Sequence, residues 1–128
     1  MAVDNKFKYS DITEKIIGCA FKVHNTLGFG FTENIYQRSL QVEFEKEKIQ
    51  FFREYEIPIL YEKIEVGFRR VDFLVEDKIV VELKAVSEIS NRELAQTLNY
   101  LKAFRKEIAL VINFGEESLK FKRLINNI

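Results

Sequence analysis

Arg70-Val71-Asp72-Phe73-Leu74-Val75-Glu76-Asp77-Lys78-Ile79-Val80-Val81-Glu82-Leu83-Lys84 reads as two strands joined by the polar turn Glu76-Asp77-Lys78. Val, Ile and Phe dominate both arms, as suits a pleated, half-buried surface. Alternate side chains of a strand share a face. Val71, Phe73 and Val75 therefore take one face and Asp72 the other, while Val81, Leu83 and Ala85 take one face and Glu82 and Lys84 the other. The three-residue turn pairs Val75 with Ile79. Counting outward sets Asp72 opposite Glu82 and Arg70 opposite Lys84, and directly opposite residues point to the same side. A slip of one residue would put Asp72 opposite Leu83 and scatter the charges between faces.

Two adjacent carboxylates raise each other's pKa unless a cation joins them. Oxygen ligands of this kind suit Mg²⁺ or Mn²⁺ rather than zinc. A metal held by Asp72 and Glu82 lowers the pKa of a bound water and neutralises phosphate charge. Lys84 beside it orients the attacking water or stabilises the charge of the transition state. The same spacing also fits an ion-pair ladder on an exposed sheet face, since cross-strand charge pairs are ordinary.

Outward from the hairpin, the chain sorts into alternating elements. Asp11 and Glu14 have the spacing of a capping box, and Ile12, Ile16, Ala20, Val23 and Leu27 recur at helical spacing up to Gly28. After the loop Gly28-Phe29-Gly30-Phe31, Thr32 is the expected N-cap of a second helix running to about Lys48, with Ile35, Tyr36, Leu40 and Phe44 on one side. Strands are predicted over 51–61, 63–69, 70–75 and 79–85. Pro58 cannot donate a ladder hydrogen bond, which marks the first of them as an edge. A helix follows over Asn91–Phe104, then a continuous apolar strand, Ile108–Ile112, expected at the sheet's centre. The tail from Leu119 is short and mixed. The expected fold is α/β, a mixed β-sheet flanked by helices. Residues 1–9 are expected to form a flexible tail ahead of a single domain over 10–128.

The sequence has 128 residues, 47% hydrophobic and 31% charged, the balance of a globular protein with a real core, and its 12 Phe make that core aromatic. Lys plus Arg and Asp plus Glu number 20 each, so overall charge gives a nucleic-acid partner no support, and any basic groove must come from local segregation. The single cysteine, Cys19, rules out an internal disulfide and reads as a buried thiol. No apolar run approaches the roughly 20 residues of a membrane span, and the N-terminus lacks a signal-peptide pattern, so the expected location is cytoplasmic.

Asp72 followed by Glu82-Leu83-Lys84 resembles the signature of the PD-(D/E)XK nuclease superfamily, whose core is restriction-endonuclease-like. Gly30-Phe31-Thr32-Glu33-Asn34-Ile35-Tyr36 resembles the name-giving motif of the bacterial GxxExxY protein family, placed in that superfamily. Further family-like stretches are Ile16-Ile17-Gly18, Val23-His24-Asn25-Thr26-Leu27-Gly28, Val81-Glu82-Leu83-Lys84-Ala85, Gln96-Thr97-Leu98-Asn99-Tyr100-Leu101-Lys102 and Ile112-Asn113-Phe114-Gly115. Val71 stands where the superfamily's name has proline. The resemblance implies a nuclease that cuts phosphodiester bonds of nucleic acid, DNA in the first instance, with Mg²⁺ or Mn²⁺ and in some members as a homodimer.

It also implies site roles for further residues. Asp72, Glu82, the Leu83 carbonyl and Glu33 would hold the metal, and Lys84 would serve the water. Glu33 alone reads equally as a favourable charge in a helix's first turn. His24, the sole histidine, is similar in position to a metal-binding histidine of recombination-helicase nucleases, although a helix histidine beside Val23 and Leu27 is more often a hydrogen-bonded core residue. Gln96 and Tyr100, one turn apart, resemble a Q-x-x-x-Y motif that lines such sites and contacts substrate; packing of Tyr100 on the sheet is the alternative. Tyr36 reads as a packing residue with its hydroxyl bonded. The rival function is a nuclease-like module without catalysis that binds nucleic acid or a protein.

Overall fold

The structure, a computed structural model, describes residues 8–127. Helix α1 spans Ser10–Leu27 and α2 spans Glu33–Lys46; strands β1 (Phe51–Tyr61), β2 (Ile64–Val75) and β3 (Ile79–Lys84) follow, then α3 (Asn91–Phe104), β4 (Ile108–Asn113) and β5 (Lys120–Ile125). The sheet order is β1-β2-β3-β4-β5. All neighbours are antiparallel except β3 and β4, which run parallel with α3 as the crossover. This is the expected mixed sheet flanked by helices. Pro58 lies on an edge strand, as its missing N–H requires.

The central strands β3 and β4 are apolar on both faces because both faces are covered. Ile16, Ala20, Val23, Tyr36, Leu40 and Phe44 from α1 and α2 pack on Phe73, Val75, Ile79, Val81 and Leu83. On the other face, Leu101 with Leu98 and Phe104 of α3 packs on Ile57, Val71, Leu74, Val80 and Ala109. Cys19 is buried and unpaired, and burial pushes its thiol up to about 11, so it stays a neutral core group.

Helix boundaries depart from expectation at α1. Its N-cap is Tyr9, in the left-handed region at φ 57°, and the Tyr9 carbonyl accepts from Ile12 N–H (3.1 Å) and Thr13 N–H (3.0 Å). Asp11 thus lies inside the first turn, where its charge suits the helix dipole, and the Asp11/Glu14 capping box does not form. The expected tail over 1–9 extends beyond the described residues, but Lys8 and Tyr9 are tied down. Lys8 donates to Glu107 at 2.6 Å, and the ammonium of Lys78 lies over the Tyr9 ring. At the other end α1 stops as expected: Gly28, at φ 71°, donates its N–H to His24 O at 2.8 Å. Thr32 is the N-cap of α2 without a side-chain bond, and α3 has a full Ser90/Glu93 capping box.

The segments 63–69 and 70–75 are one strand, since β2 pairs with β1 along its length, with a bulge between Ile59 and Leu60 and no pair at Glu54 and Asp72. The chain after Leu119 forms an unpredicted fifth strand on β4. It interleaves exposed Lys120 and Lys122 with Phe121 and Arg123, so no apolar run marks it in sequence.

The hairpin itself differs in one respect. Val75 pairs with Ile79 as expected, but the β2–β3 ladder ends at Phe73↔Val81. Beyond that point β2 continues with β1 alone. Phe73 and Val75 face α1 and α2, whereas Val71 packs with the opposite cluster. The change of face occurs across Asp72, whose β1 neighbour Glu54 adopts φ 54° between the pairs Arg53↔Phe73 and Tyr55↔Val71. Simple alternation therefore fails here: Val71 does not share a face with Phe73, and neither Asp72–Glu82 nor Arg70–Lys84 is a ladder pair.

The far ends of β3 and β4 are locked together just past Lys84. Phe114 N–H donates to Lys84 O at 2.8 Å. Fully buried Asn113 accepts from Val86 N–H (3.1 Å) and Gly115 N–H (3.0 Å) and donates to Val86 O (2.9 Å) and Glu116 (2.8 Å). Gly115 is required for this closeness, because a Cβ there would lie 2.3 Å from Val86 N. Gly115→Ala is expected to destabilise the protein by about 3 kcal/mol, measured by urea melts, since backbone must move to admit the methyl.

Candidate functional site

Where β2 leaves β3, Asp72 replaces the missing ladder bond with its own carboxylate. Its Oδ2 accepts from Leu83 N–H at 2.8 Å, and its Oδ1 accepts from Gln37 Nε2 at 2.8 Å. Burial holds its pKa above the ordinary aspartate value, against the opposing pull of those two donors and of Lys84. Glu82 is the more deeply buried, at 8% exposure. Its Oε1 has no hydrogen-bond partner. Burial, then the Asp72 charge, pushes its carboxyl up to about 8, while Lys84, the Asp72 backbone N–H and Arg69 act the other way. The Asp72 charge thus reaches Glu82 although the two are not ladder partners.

Glu33 opens α2 and faces the same region. Burial raises its pKa, the Lys84 charge lowers it, and the Asp72 charge raises it again. Its placement depends on Tyr36, fully buried one turn later. The Tyr36 hydroxyl donates to Gly28 O at 2.6 Å and accepts from Phe31 N–H at 3.2 Å, and its ring stacks on Phe114 at 4.6 Å. The Gly30-x-x-Glu33-x-x-Tyr36 spacing thereby pins the α1–α2 loop and aims the start of α2. Tyr36→Phe is expected to cost about 1–2 kcal/mol in thermal melts, the worth of two buried hydrogen bonds lost together.

Gln37 is the site residue that sequence reasoning missed. It is buried, contacts Asp72, and has an Oε1 without a partner. Its position, four residues after Glu33 on the same helix face, is the available signal.

The remaining candidates divide. Leu83 is buried between Glu82 and Lys84 in sequence, with its N–H on Asp72. Lys84 is half-buried at the end of β3. His24 is engaged elsewhere. Its Nε2 lies 2.9 Å from Glu116 O, to which it donates, and its ring packs near Phe114. With Nε2 donating, Nδ1 is the ring nitrogen that keeps a lone pair. Gln96 is exposed on α3. Tyr100 is half-buried against the α3-side cluster, with the guanidinium of Arg69 over its ring at 5.1 Å. Arg70, expected opposite Lys84, instead pairs with Glu56 at 3.1 Å on the exposed outer side. The change of face at Asp72 accounts for this exchange of adjacent arginines.

Among the described residues, no three His, Cys, Asp or Glu side chains converge as a metal cluster. The donor set near Asp72 nevertheless fits a divalent cation. It offers two close carboxylates and one buried, partnerless carboxylate oxygen, all oxygen donors. Among the same residues, no helix is long and apolar enough to cross a membrane.

Comparison with known proteins bears on the fold and the family. No curated protein sequence matches the chain. Among solved structures, the crystal structure of SSO0001 is similar, with a TM-score of 0.56 at 18% identity. The match covers 96% of this chain and 61% of that one, so the chain spans about three fifths of that protein's length. At that identity the likeness shows the fold alone. The family description "PD-(D/E)XK nuclease superfamily" matches residues 10–124, which include every element from α1 to β4 and nearly all of β5. With Asp72 bonded to the strand that carries Glu82-Leu83-Lys84, the chain belongs to the PD-(D/E)XK nuclease superfamily.

Proposed function

We propose that the protein is a nuclease of the GxxExxY type that hydrolyses phosphodiester bonds of nucleic acid, DNA first among them, with Mg²⁺ or Mn²⁺. The observation that carries this reading is buried Glu82 within reach of the half-buried Asp72 charge, with one Glu82 oxygen unsatisfied and Lys84 within electrostatic range. A fold gains nothing from two desolvated carboxylates side by side, whereas a cation offsets their repulsion. Asp72, Glu82 and the Leu83 carbonyl would hold the metal, with Glu33 assisting from α2. His24 would join this set only through Nδ1, since its Nε2 proton is committed to Glu116 O. When bound, the ion lowers the pKa of a water and neutralises charge on the phosphate.

The protein's own groups do the rest. Gln37 holds one Asp72 oxygen and Leu83 N–H the other, which fixes the carboxylate plane. Lys84 presents an ammonium that donates to the attacking water or to the charge that builds on the phosphate oxygens. The Asn113 lock and the Phe114 bond to Lys84 O keep that residue's backbone in place. Gln96 and Tyr100 would meet substrate from α3. The direct test is cleavage of labelled single- and double-stranded DNA and RNA in Mg²⁺, in Mn²⁺ and in chelator. Metal-dependent cleavage of at least one form is expected. Metal-dependent binding without cleavage of any form would favour the non-catalytic module instead.

A further inference from the structure

Arg69 is an exposed arginine with an unusual setting. It pairs across the ladder with Ile57 and precedes Val71 by two residues, and both neighbours pack under α3. The change of face at Asp72 therefore brings Arg69, not Arg70, to the side where α3 lies. There its guanidinium sits 5.1 Å from the centroid of the Tyr100 ring, whose other contacts are with the buried α3-side cluster. Among the described residues the guanidinium takes part in no hydrogen bond or ion pair. Arg70 differs in this, being tied to Glu56. Arg69 is also close enough to the site for its charge to act on Glu82.

A guanidinium stacked on an aromatic ring is held in orientation while its N–H edge stays free. That edge is a rigid fork that matches a phosphate with two parallel hydrogen bonds. We propose that Arg69, held against Tyr100, is a substrate-binding residue that takes a backbone phosphate of the nucleic acid beside the Asp72–Glu82 pair. The inference rests on the nuclease reading and deepens it: Tyr100 serves the substrate through the arginine it carries. The contact is to phosphate, so it is independent of base sequence.

The test is fluorescence anisotropy of a fluorescein-labelled oligonucleotide with the full chain in Ca²⁺ buffer, over a series of salt concentrations. Arg69→Ala is expected to weaken binding about tenfold, as loss of one charge-assisted phosphate contact does, and to lower the salt slope by about one. Tyr100→Leu keeps the charge but loses the stack, so it is expected to weaken binding less while leaving the salt slope near the parent's. Arg69→Lys is a second variant that keeps charge and fold but not the fork, and it is expected to recover the slope without the full affinity. Equal affinity of parent and Arg69→Ala at every salt concentration would overturn the proposal, as would weaker binding with an unchanged slope, or no binding by the parent. Failure here is distinguishable from failure of the nuclease reading. A parent that cleaves, with KM unchanged in Arg69→Ala, counts against Arg69 alone. A parent that binds through Arg69 yet never cleaves counts against the nuclease.

Discussion

Glu82→Gln is expected to make the metal-free protein more stable at pH 8, by on the order of 2–4 kcal/mol, and to flatten its stability against pH. The Glu82 carboxyl titrates at about 8 in the fold against an ordinary 4.5. Between those values the unfolded chain has released a proton that the native state retains. The native state then binds more protons than the unfolded one, so stability falls as pH rises through this window. Asp72 and Glu33 are shifted in the same direction and add to the slope. Glutamine mimics the protonated form and has nothing to ionise in either state. Below about pH 4 the variant and parent should differ little, since both then carry a neutral group at this position. Urea melts in chelator across the range provide the check. If Glu82 instead served the fold by pairing with Lys84, the variant would be the less stable protein at pH 8, and the parent's stability would rise with pH.

The second large effect concerns Lys84. Lys84→Ala is expected to lower cleavage about 10²–10⁴-fold while leaving metal binding and the melting temperature close to the parent's. The side chain is half-buried and is in none of the ion pairs of the described residues; its charge reaches Asp72, Glu82 and Glu33 without a direct pair, so its loss costs the fold little beside its cost to the rate. Its role in the fold is carried by its backbone, through the carbonyl bonded to Phe114 N–H, which alanine preserves. Single-turnover rates at saturating Mn²⁺ separate this effect from substrate binding. A variant that keeps more than about a tenth of the parent rate would remove Lys84 from the chemistry.

Much of this site was legible because its signals are local. The turn Glu76-Asp77-Lys78 and the apolar arms set the Val75–Ile79 register, and the structure keeps it. The burial of Tyr36 with a bonded hydroxyl follows from a polar tip on an otherwise apolar helix face. What escaped sequence reading depends on distant partners. Alternation along 70–75 presumes regular backbone, but Glu54 at φ 54° and the end of the ladder at Phe73 turn β2 over at Asp72. Nothing in the residue types of Glu54 or Asp72 signals that turn, and so Arg70 was set at the site where Arg69 stands. The helix start at Tyr9 escaped because a left-handed tyrosine is not a usual cap, while Asp11 is a usual cap residue. β5 escaped because an edge strand with exposed lysines lacks an apolar run, and its register comes wholly from β4. His24 is buried with Nε2 on Glu116 O, a contact that the reading of a bonded core histidine expects and that leaves Nδ1 for the ligand reading.

The most direct test of the account is the effect of Mn²⁺ on thermal stability in the parent and in Asp72→Ala. A cation that binds only the folded state stabilises it by about 2.7 kcal/mol at a hundred times its dissociation constant. In the parent, Mn²⁺ should therefore raise the melting temperature by several degrees over chelator, and by more at pH 8 than at pH 5, where protons compete for Glu82. Asp72→Ala should show no such rise. An equal rise in both proteins, or none in the parent, would contradict a metal centre built on Asp72 and Glu82.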